Sequence, residues 1–223
     1  MNTGEFIRTI EKKPYLKYVE YDFSVRLNSM LRIAKRICPA FVLDQDNTVI
    51  YHEAVKYFAA DKTCTWDLSK GLYLYGPVGS GKTLFLKIFH SLMDAPGIKE
   101  HSGKNGFDFF TVNDIIDGYS AQGPAFWKNK NLNRSEHYPP PAHVAIDDLG
   151  QNSRTASYFG NQIDVVHELI QRRYYAYTDN FVLTHASSNI TPSKIKEFYG
   201  DFPASRMREM FNVIPLAGSD RRK

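Results

Sequence analysis

The sequence that decides the fold is GLYLYGPVGSGKT, at residues 71–83 of the chain. Its second part, GPVGSGKT, fits the pattern G-x-x-x-x-G-K-[ST] of a phosphate-binding loop. Before this loop, Leu72 and Leu74 alternate with tyrosines as in a short strand, and an apolar helical pattern follows from Thr83. Strand, glycine-rich loop and helix therefore follow one another in the order that phosphate binding requires.

The residue types in this loop suit the binding of phosphate. Glycine lets the backbone turn tightly and bring its N–H groups close to phosphate oxygens, while the positive end of the following helix favours anionic charge. We expect Lys82 to reach the β- and γ-phosphates of a nucleotide and the hydroxyl of Thr83 to bind Mg²⁺. A chance glycine-rich turn is disfavoured by the strand and helix beside it. The predicted nucleotide-binding residues are Gly76, Pro77, Val78, Gly79, Ser80, Gly81, Lys82 and Thr83.

The composition indicates one ordinary globular domain. The chain has 223 residues, of which 43% are hydrophobic and 23% are charged, and this disfavours a disordered or fibrous protein. The length suffices for one α/β domain with a short extension. The formal charge of +4 permits contact with nucleic acid without establishing it.

The sequence indicates neither a zinc or redox site at its cysteines nor a segment that spans a membrane. Cys38 and Cys64 lie far apart, without C-x-x-C spacing or paired histidines, so we expect buried free thiols rather than a zinc or redox site. No apolar run approaches the length that spans a bilayer, and the first residues do not resemble a secretory signal. We therefore expect a cytoplasmic protein with no membrane partner.

Two helices are predicted ahead of the loop. After a polar and basic arm, apolar residues recur at helical spacing from Ser24, the expected N-cap, until Pro39. We expect the apolar face of this helix to pack on the main domain rather than to dock a partner. A turn follows, and then a second helix over residues 50–58. The chain is thereby divided into an N-terminal arm and helix, 1–49, and a nucleotide-binding core, 50–223.

Two aromatic residues, Phe41 and Tyr51, precede the first predicted strand. In many P-loop proteins the segment at this place packs on the adenine base, and either ring could do so here. Core packing is the expectation that we prefer for both.

A segment rich in aromatic residues and cations follows the helix that ends at Gly123 and Pro124, beyond a strand predicted over residues 107–112. Its aromatic residues and cations are Phe126, Trp127, Lys128, Lys130 and Arg134. Aromatic rings stack on bases and cations follow phosphates, so the segment suits single-stranded DNA. An equally good alternative is a surface loop whose aromatic rings enter the core. The basic residues at 221–223 are the next candidate for DNA contact.

The run HVAIDDLG, at residues 143–150, is apolar and ends in two carboxylates. A buried parallel strand would deliver such side chains to its C-terminal edge, where nucleotides bind in α/β folds. The alternative, a solvated turn after a core strand, is disfavoured downstream of a phosphate-binding loop. We expect Asp147 to hold the Mg²⁺ shell and Asp148 to orient or deprotonate the attacking water.

Helices and strands continue to alternate in the C-terminal part. Apolar residues at positions 163, 166, 169, 170 and 174 predict a long helix, residues 180–186 predict a strand, and residues 212–215 predict a last strand. Asn189 could contact the γ-phosphate or the catalytic water, although a turn ahead of Thr191 and Pro192 is a competing role. The alternation predicts a doubly wound parallel sheet with right-handed crossovers and the nucleotide at its C-terminal edge.

Four segments together resemble the AAA+ ATPases of the DnaC and IstB group, which are helicase loaders and transposase-helper ATPases. They are the loop at 76–83, IDDLG at 146–150, LIQRRY at 169–174 leading to SSN at 187–189, and ASRM at 204–207. The resemblance implies an α/β P-loop NTPase with an AAA+ core, in which helices sandwich a parallel sheet. It also implies ATP and Mg²⁺ as cofactors.

The resemblance implies a role for each matching residue. The matched positions are Lys82 and Thr83 in Walker A, Asp147 and Asp148 in Walker B, and Asn189 at sensor 1. Arg206 would be the arginine finger, which stabilises charge on the transferring phosphoryl group in a neighbouring subunit and so ties hydrolysis to assembly. Arg172 and Arg208 are rival fingers.

The chain departs from this family in two places. Few residues follow the last predicted strand, so we expect the helical lid that carries a sensor 2 arginine to be absent or vestigial. The N-terminal part is also short for a helicase-binding domain of the DnaC kind.

The function that the motifs and the resemblance imply is an ATPase that forms ATP-dependent homo-oligomers and acts on DNA, single-stranded in our expectation. A replicative helicase loader is the first hypothesis, and an IstB-like helper of a transposase is the alternative. A P-loop kinase for small molecules and a nucleotide-gated binding module are further classes. The absent lid and the pair of aspartates disfavour the kinase.

Overall fold

A parallel sheet of five strands forms the centre of the fold. The computed structural model describes residues 16–99, 105–130, 132, 142–150 and 154–217. In their order across the sheet, the strands are β2 (Asp108–Thr111), β3 (Val144–Leu149), β6 (Thr184–Ser188), β1 (Gly71–Tyr75) and β7 (Phe211–Pro215). Every neighbouring pair is parallel, so all five C-terminal ends lie at one edge of the sheet.

Helices flank this sheet, which confirms the predicted α/β fold. They are α1 (Phe23–Ile37), α2 (Thr48–Phe58), α3 (Lys82–Met93), α4 (Val112–Gln122), α5 (Ala125–Asn129), α6 (Val165–Asn180), α7 (Ile195–Tyr199) and α8 (Asp201–Met210). A sheet covered on both faces needs strands that are apolar almost throughout. Strand β1 meets this need, since Leu72, Tyr73 and Leu74 are all buried.

The first helix packs against α3 and α2, so its predicted packing on the main domain is confirmed. Its contribution to the core is Met30, Ile33 and Ala34. The predicted N-cap, Ser24, is wrong because the helix starts earlier, where the carboxylate of Asp22 accepts a hydrogen bond from the N–H of Val25 at 2.9 Å. The division of the chain at residue 49 stays a prediction.

An antiparallel hairpin that the sequence patterns do not predict precedes α6. Strands β4 (Thr155–Tyr158) and β5 (Asn161–Asp164) form it. Phe159 and Gly160 connect the two strands with φ angles of 47° and 80°. Two consecutive positive φ angles are those of a type I′ turn, whose twist matches that of the paired strands.

The predicted boundaries around α6 are wrong by several residues. Ile163 lies in β5 rather than in the helix, because the carboxylate of Asp164 caps the helix by accepting a backbone N–H at 2.9 Å. At its other end the helix runs to Asn180, so β6 begins only at Thr184. Phe181 lies between them with a φ of 57°, the left-handed conformation that commonly ends helices.

Two further strands lie close to their predicted positions. The strand predicted over residues 107–112 is β2, which ends at Thr111 because this residue forms a capping box with Asp114 at the start of α4. The last strand, predicted over residues 212–215, begins one residue earlier at Phe211.

Cys38 and Cys64 are free, as expected, but they are half-buried rather than buried. Among the helices in the described part of the chain, none combines the length and the apolar character needed to cross a membrane.

Candidate nucleotide-binding site

The phosphate-binding loop lies between the end of β1 and the start of α3. Gly81 precedes the helix with a φ of 93°, a left-handed conformation that favours glycine. Position 76 requires glycine for a different reason, because a Cβ at Gly76 would lie 2.2 Å from the carbonyl oxygen of Leu216. The loop therefore turns sharply at the C-terminal edge of the sheet and leads into a helix N-terminus, where anions bind favourably.

Lys82 is buried within this loop. Its Nζ donates hydrogen bonds to the carbonyl oxygen of Gly76 at 2.9 Å and to that of Pro77 at 2.8 Å. These contacts hold the ammonium group over the turn. The phosphate-binding role of Lys82 stays a prediction.

The two segments expected to bind Mg²⁺ meet at Asp147. The carboxylate is 2% exposed, and its Oδ1 accepts a hydrogen bond from the hydroxyl of Thr83 at 3.1 Å. The hydroxyl of Ser187, at the end of β6, donates to the same oxygen and accepts from the N–H of Asp148 at 3.0 Å. Ser187 therefore links both aspartates to the neighbouring strand.

Sequence reasoning did not assign any role to Ser187. Its contact with Asp147 depends on β3 and β6 being neighbours in the sheet. The chain order does not reveal this, since β4, β5 and α6 lie between the two strands in the sequence. The signals available were the position of the serine at the end of an apolar strand pattern and its place in the SSN segment at 187–189.

Asp148 is half-buried and has a φ of 62°, which is uncommon for a residue other than glycine. The register between β3 and β6 shifts here, between Ile146 and Leu149. Such irregularities are frequent next to active sites, where they change the direction of a side chain. Asp147 and Asp148 therefore differ in burial and backbone conformation, and their separate roles stay predictions.

A cavity of about 400 Å³ brings predicted site residues together. Its lining includes Lys82, Thr83, Asp148 and Asn189. The Oδ1 atom of Asn189 is buried and has no hydrogen-bond partner among the described residues. Because an unsatisfied buried acceptor is costly, a water molecule or a ligand that donates a hydrogen bond would stabilise this side chain.

A second cavity, of about 300 Å³, adjoins the first, since Cys38, Gly81 and Leu84 line both. Ser80 and Leu216 also line it. Phe41 and Tyr51 also line it, although both are buried core residues whose rings meet edge to face at 5.2 Å. Both expectations for these rings are thus compatible with the structure. Asp44, Asp46 and Asn47 line the second cavity as well. The cavity thus combines apolar walls with several polar groups beside the phosphate-binding loop, and such a site can hold and orient a nucleotide base.

The three candidate arginine fingers differ in their contacts, and none of them lines either cavity. The guanidinium of Arg206 lies 5.1 Å from the ring centroid of Tyr174 and 5.6 Å from that of Tyr175. Arg172 pairs with Glu168 at 2.5 Å. Arg208 is exposed. Their catalytic roles stay predictions.

The aromatic residues of the segment at 125–134 are in the core. Phe126 is 2% exposed and Trp127 is 1% exposed, so neither ring can stack on DNA. The ring of Phe126 fits because its neighbour is Gly118, which has no side chain. A Cβ at position 118 would lie 2.2 Å from the ring. Lys128 and Lys130 are exposed, whereas Arg134 and the basic residues at 221–223 lie outside the described residues.

Comparisons with solved structures find the same architecture in replication proteins. No family model matches the chain, and no curated protein matches it. A structure described as a primosome component from Streptococcus pyogenes serotype M3 has 18% identity and a TM-score of 0.55, with 82% of this chain and 85% of that chain covered. The DnaC helicase loader has 18% identity and a TM-score of 0.55, with 81% and 96% covered.

A third structure is the replication initiator DnaA bound to AMPPCP and single-stranded DNA. It has 13% identity and a TM-score of 0.53, and the match covers 81% of this chain but only 49% of that one. Likeness at such identities concerns the fold. This chain therefore has the AAA+ P-loop NTPase fold that the DnaC helicase loader also has.

Proposed function

We propose that the protein binds and hydrolyses ATP and acts on DNA as a replicative helicase loader of the DnaC kind. The observation that carries the proposal is the hydrogen bond between Thr83 and Asp147. This bond joins the Walker A and Walker B segments beside the cavity that Lys82, Asp148 and Asn189 line. An arrangement of this kind is what phosphoryl transfer from a nucleotide needs.

The side chains fit ATP together with Mg²⁺. Thr83 and Asp147 offer a hydroxyl and a carboxylate oxygen, the kinds of ligand that Mg²⁺ takes alongside nucleotide phosphates. When bound there, Mg²⁺ would neutralise charge on the β- and γ-phosphates. Lys82 and the N–H groups of the loop would bind the phosphates, and the cavity beside Tyr51 would receive the base.

In this proposal Asp148 accepts a hydrogen bond from the attacking water, orients it and takes up its proton. The amide of Asn189, on the same cavity, positions the water or the γ-phosphate. Arg206 acts from a neighbouring subunit, so that hydrolysis depends on an ATP-dependent homo-oligomer. Arg206 lines neither cavity of its own subunit, which is compatible with an action in trans.

The action on DNA is supported by the proteins that share the fold. The DnaA structure contains single-stranded DNA, and DnaC is described as a helicase loader. On this basis we propose single-stranded DNA and a replicative helicase as partners, and the cytoplasm as the place of action. A transposase would replace the helicase in the IstB-like alternative.

Phosphate release, measured with and without single-stranded DNA and with small-molecule acceptors, tests this function. We expect release that depends on Lys82 and rises with DNA. Transfer of phosphate to a small acceptor would indicate a kinase instead, and tight ATP binding without release would indicate a nucleotide-gated module. Gel filtration with an ATP analogue and single-stranded DNA would show whether assembly accompanies binding.

A further inference from the structure

The tip of the β4–β5 hairpin presents an aromatic ring to solvent. Phe159 is 88% exposed, and its φ of 47° is unusual for a bulky residue. In a type I′ turn, asparagine or aspartate followed by glycine is the preferred pair. The chain thus carries a large apolar ring at a position where a small polar side chain would suit both the turn and the solvent better.

The hairpin is held in place at both ends. At its base, Arg154 pairs with Asp164 at 3.6 Å and lies 5.8 Å from the ring centroid of Tyr199. Near its tip, Tyr158 packs so closely on Gly123 that a Cβ at the glycine would lie 2.4 Å from the ring. Because the hairpin is already ordered, binding at its tip costs little conformational entropy of the hairpin itself.

Gly123, on which Tyr158 packs, is followed within seven residues by two exposed lysines. It lies between α4 and α5, and Lys128 and Lys130 are exposed on α5 and at its end. Helix α5 begins at Ala125, two residues after Gly123, and at a helical rise of about 1.5 Å per residue Lys128 lies about 4.5 Å along its axis from Ala125. The exposed positions of the hairpin strands carry no charge, as they are Thr155, Ser157, Asn161 and Gln162.

We propose that Phe159, together with Lys128 and Lys130, contacts single-stranded nucleic acid. This inference rests on the proposed action on DNA and assigns the element that performs it. The ring stacks on a base of any sequence, the cations take up neighbouring phosphates, and the exposed strand positions of the hairpin, which are uncharged, do not repel them. Phe159 thereby supplies the stacking ring that the buried Phe126 and Trp127 cannot supply.

The base of the hairpin lies close in the sequence to the strand that carries the Walker B carboxylates. Strand β3 carries Asp147 and Asp148 and ends at Leu149. Only residues 150–153 separate this end from Arg154 at the base of the hairpin. Nucleic acid bound at the tip would thus be separated from Asp147 and Asp148 by a short segment of the chain.

The test uses the full chain, AMPPCP with Mg²⁺, and a fluorescent homothymidine oligonucleotide of about 20 nucleotides, which exceeds the site sizes of about 4–16 nucleotides known for single-strand-binding folds. Phe159→Asn should weaken binding by about 5- to 150-fold, the loss of one stacked base, with an unchanged salt dependence. Phe159→Trp should bind like the parent, and the fluorescence of the new indole should change on binding. Lys128→Gln with Lys130→Gln should flatten the salt slope by about 0.7 for each lost phosphate contact.

The chain offers a matched control at Phe181. This residue is also an exposed phenylalanine, 55% exposed and with a φ of 57°, but it lies ahead of β6, at the opposite edge of the sheet from the nucleotide site. Phe181→Asn should bind the oligonucleotide like the parent. Because asparagine suits a left-handed backbone, both asparagine variants should keep the parental melting temperature, so a change in affinity reports the ring.

Three outcomes would overturn the inference. If the parent hydrolyses ATP but binds no oligonucleotide, the proposed action on DNA fails and this inference fails with it. If the parent binds and Phe159→Asn binds equally well, only the inference is wrong. If Phe159→Asn changes self-association in gel filtration while its oligonucleotide affinity stays parental, the ring contacts a second copy of the chain instead.

Discussion

The hydroxyl of Thr83 donates a hydrogen bond to the carboxylate of Asp147 at 3.1 Å, although the two residues are 64 positions apart in the chain. The same carboxylate accepts a hydrogen bond from Ser187 on β6. One buried side chain thus connects the P-loop helix with two neighbouring strands. Changes around it should therefore alter turnover more than they alter the fold.

Substitutions at Lys82 and Asp148 should separate binding from chemistry. Lys82→Ala should abolish tight ATP binding, because it removes the side-chain cation expected at the β- and γ-phosphates. Asp148→Asn should bind ATP but hydrolyse it at least about 100-fold more slowly, the usual scale of general-base catalysis. Titration with a fluorescent ATP analogue and phosphate release on the same preparations measure both effects. Parental ATP affinity in Lys82→Ala would mean that the loop is wrongly assigned.

Ser187→Ala should lower turnover while ATP affinity stays near the parental value. The variant removes the donor to Asp147 and the acceptor for the N–H of Asp148. Loss of a hydrogen bond that orients a metal-binding carboxylate typically costs about 10- to 100-fold. Phosphate release at saturating ATP and Mg²⁺ is the measurement.

The neighbouring serine provides the control for that prediction. Ser188 donates to the carbonyl oxygen of Leu149 and accepts from the N–H of Ile190, so Ser188→Ala should lower the melting temperature but keep turnover. Equal loss of turnover in both variants would assign the effect to the strand end in general rather than to the contact with Asp147.

Arg206→Ala should keep the nucleotide affinity of the monomer and lose assembly-dependent hydrolysis, by about 1,000-fold or more if it is the finger. Mixing decides whether it acts in trans. Arg206→Ala subunits combined with Lys82→Ala subunits should recover some activity, since a neighbour with an intact finger can serve an intact P-loop. No recovery at any ratio, with mixed assembly verified, would count against a finger in trans.

Arg208, exposed on the same helix, is the matched control for this experiment. Arg208→Ala should retain assembly-dependent hydrolysis. Both arginine variants should be compared at equal degrees of assembly, because Arg206 also contacts Tyr174 and Tyr175. If Arg208→Ala alone loses turnover, the rival finger is the correct one.

The sequence was most informative where residue type and spacing are both dictated by chemistry. The phosphate-binding loop needs glycine at fixed places, and a buried parallel strand needs an apolar run, so the loop and β3 were predicted together with Asp147. Both segments lie at the predicted edge of the sheet because the strands are parallel.

Features that depend on three-dimensional neighbours could not be predicted in this way. Ser187 contacts Asp147 only because β6 lies beside β3. Phe126 and Trp127 stand in a cationic segment that suits DNA, yet they are buried because Gly118 leaves room for the first ring. The β4–β5 hairpin was missed because its strands are short and polar, and a buried apolar face is what makes a strand pattern visible.

The stability of the protein should depend on pH through His185, which lies in β6 among the rings of Tyr57, Phe58 and Phe107. Burial, with smaller effects from nearby positive charge, lowers the pKa of His185 from 6.5 to about 3. The folded protein therefore keeps this imidazole neutral, while the unfolded chain takes up a proton below about pH 6.5.

Above pH 6.5 the contribution of neutral His185 to the free energy of unfolding should accordingly be complete. As the pH falls from 6.5 towards 3, the free energy of unfolding should decrease by up to about 1.4 kcal/mol per pH unit. His185→Asn removes this contribution, and the amide oxygen of asparagine can still accept the N–H of Leu72, which donates to the imidazole at 3.2 Å. Urea unfolding of parent and variant at pH 7 and pH 5 should show the difference between them shrinking at the lower pH. A constant offset between the two proteins at every pH would show instead that His185 does not titrate differently in the folded and unfolded states.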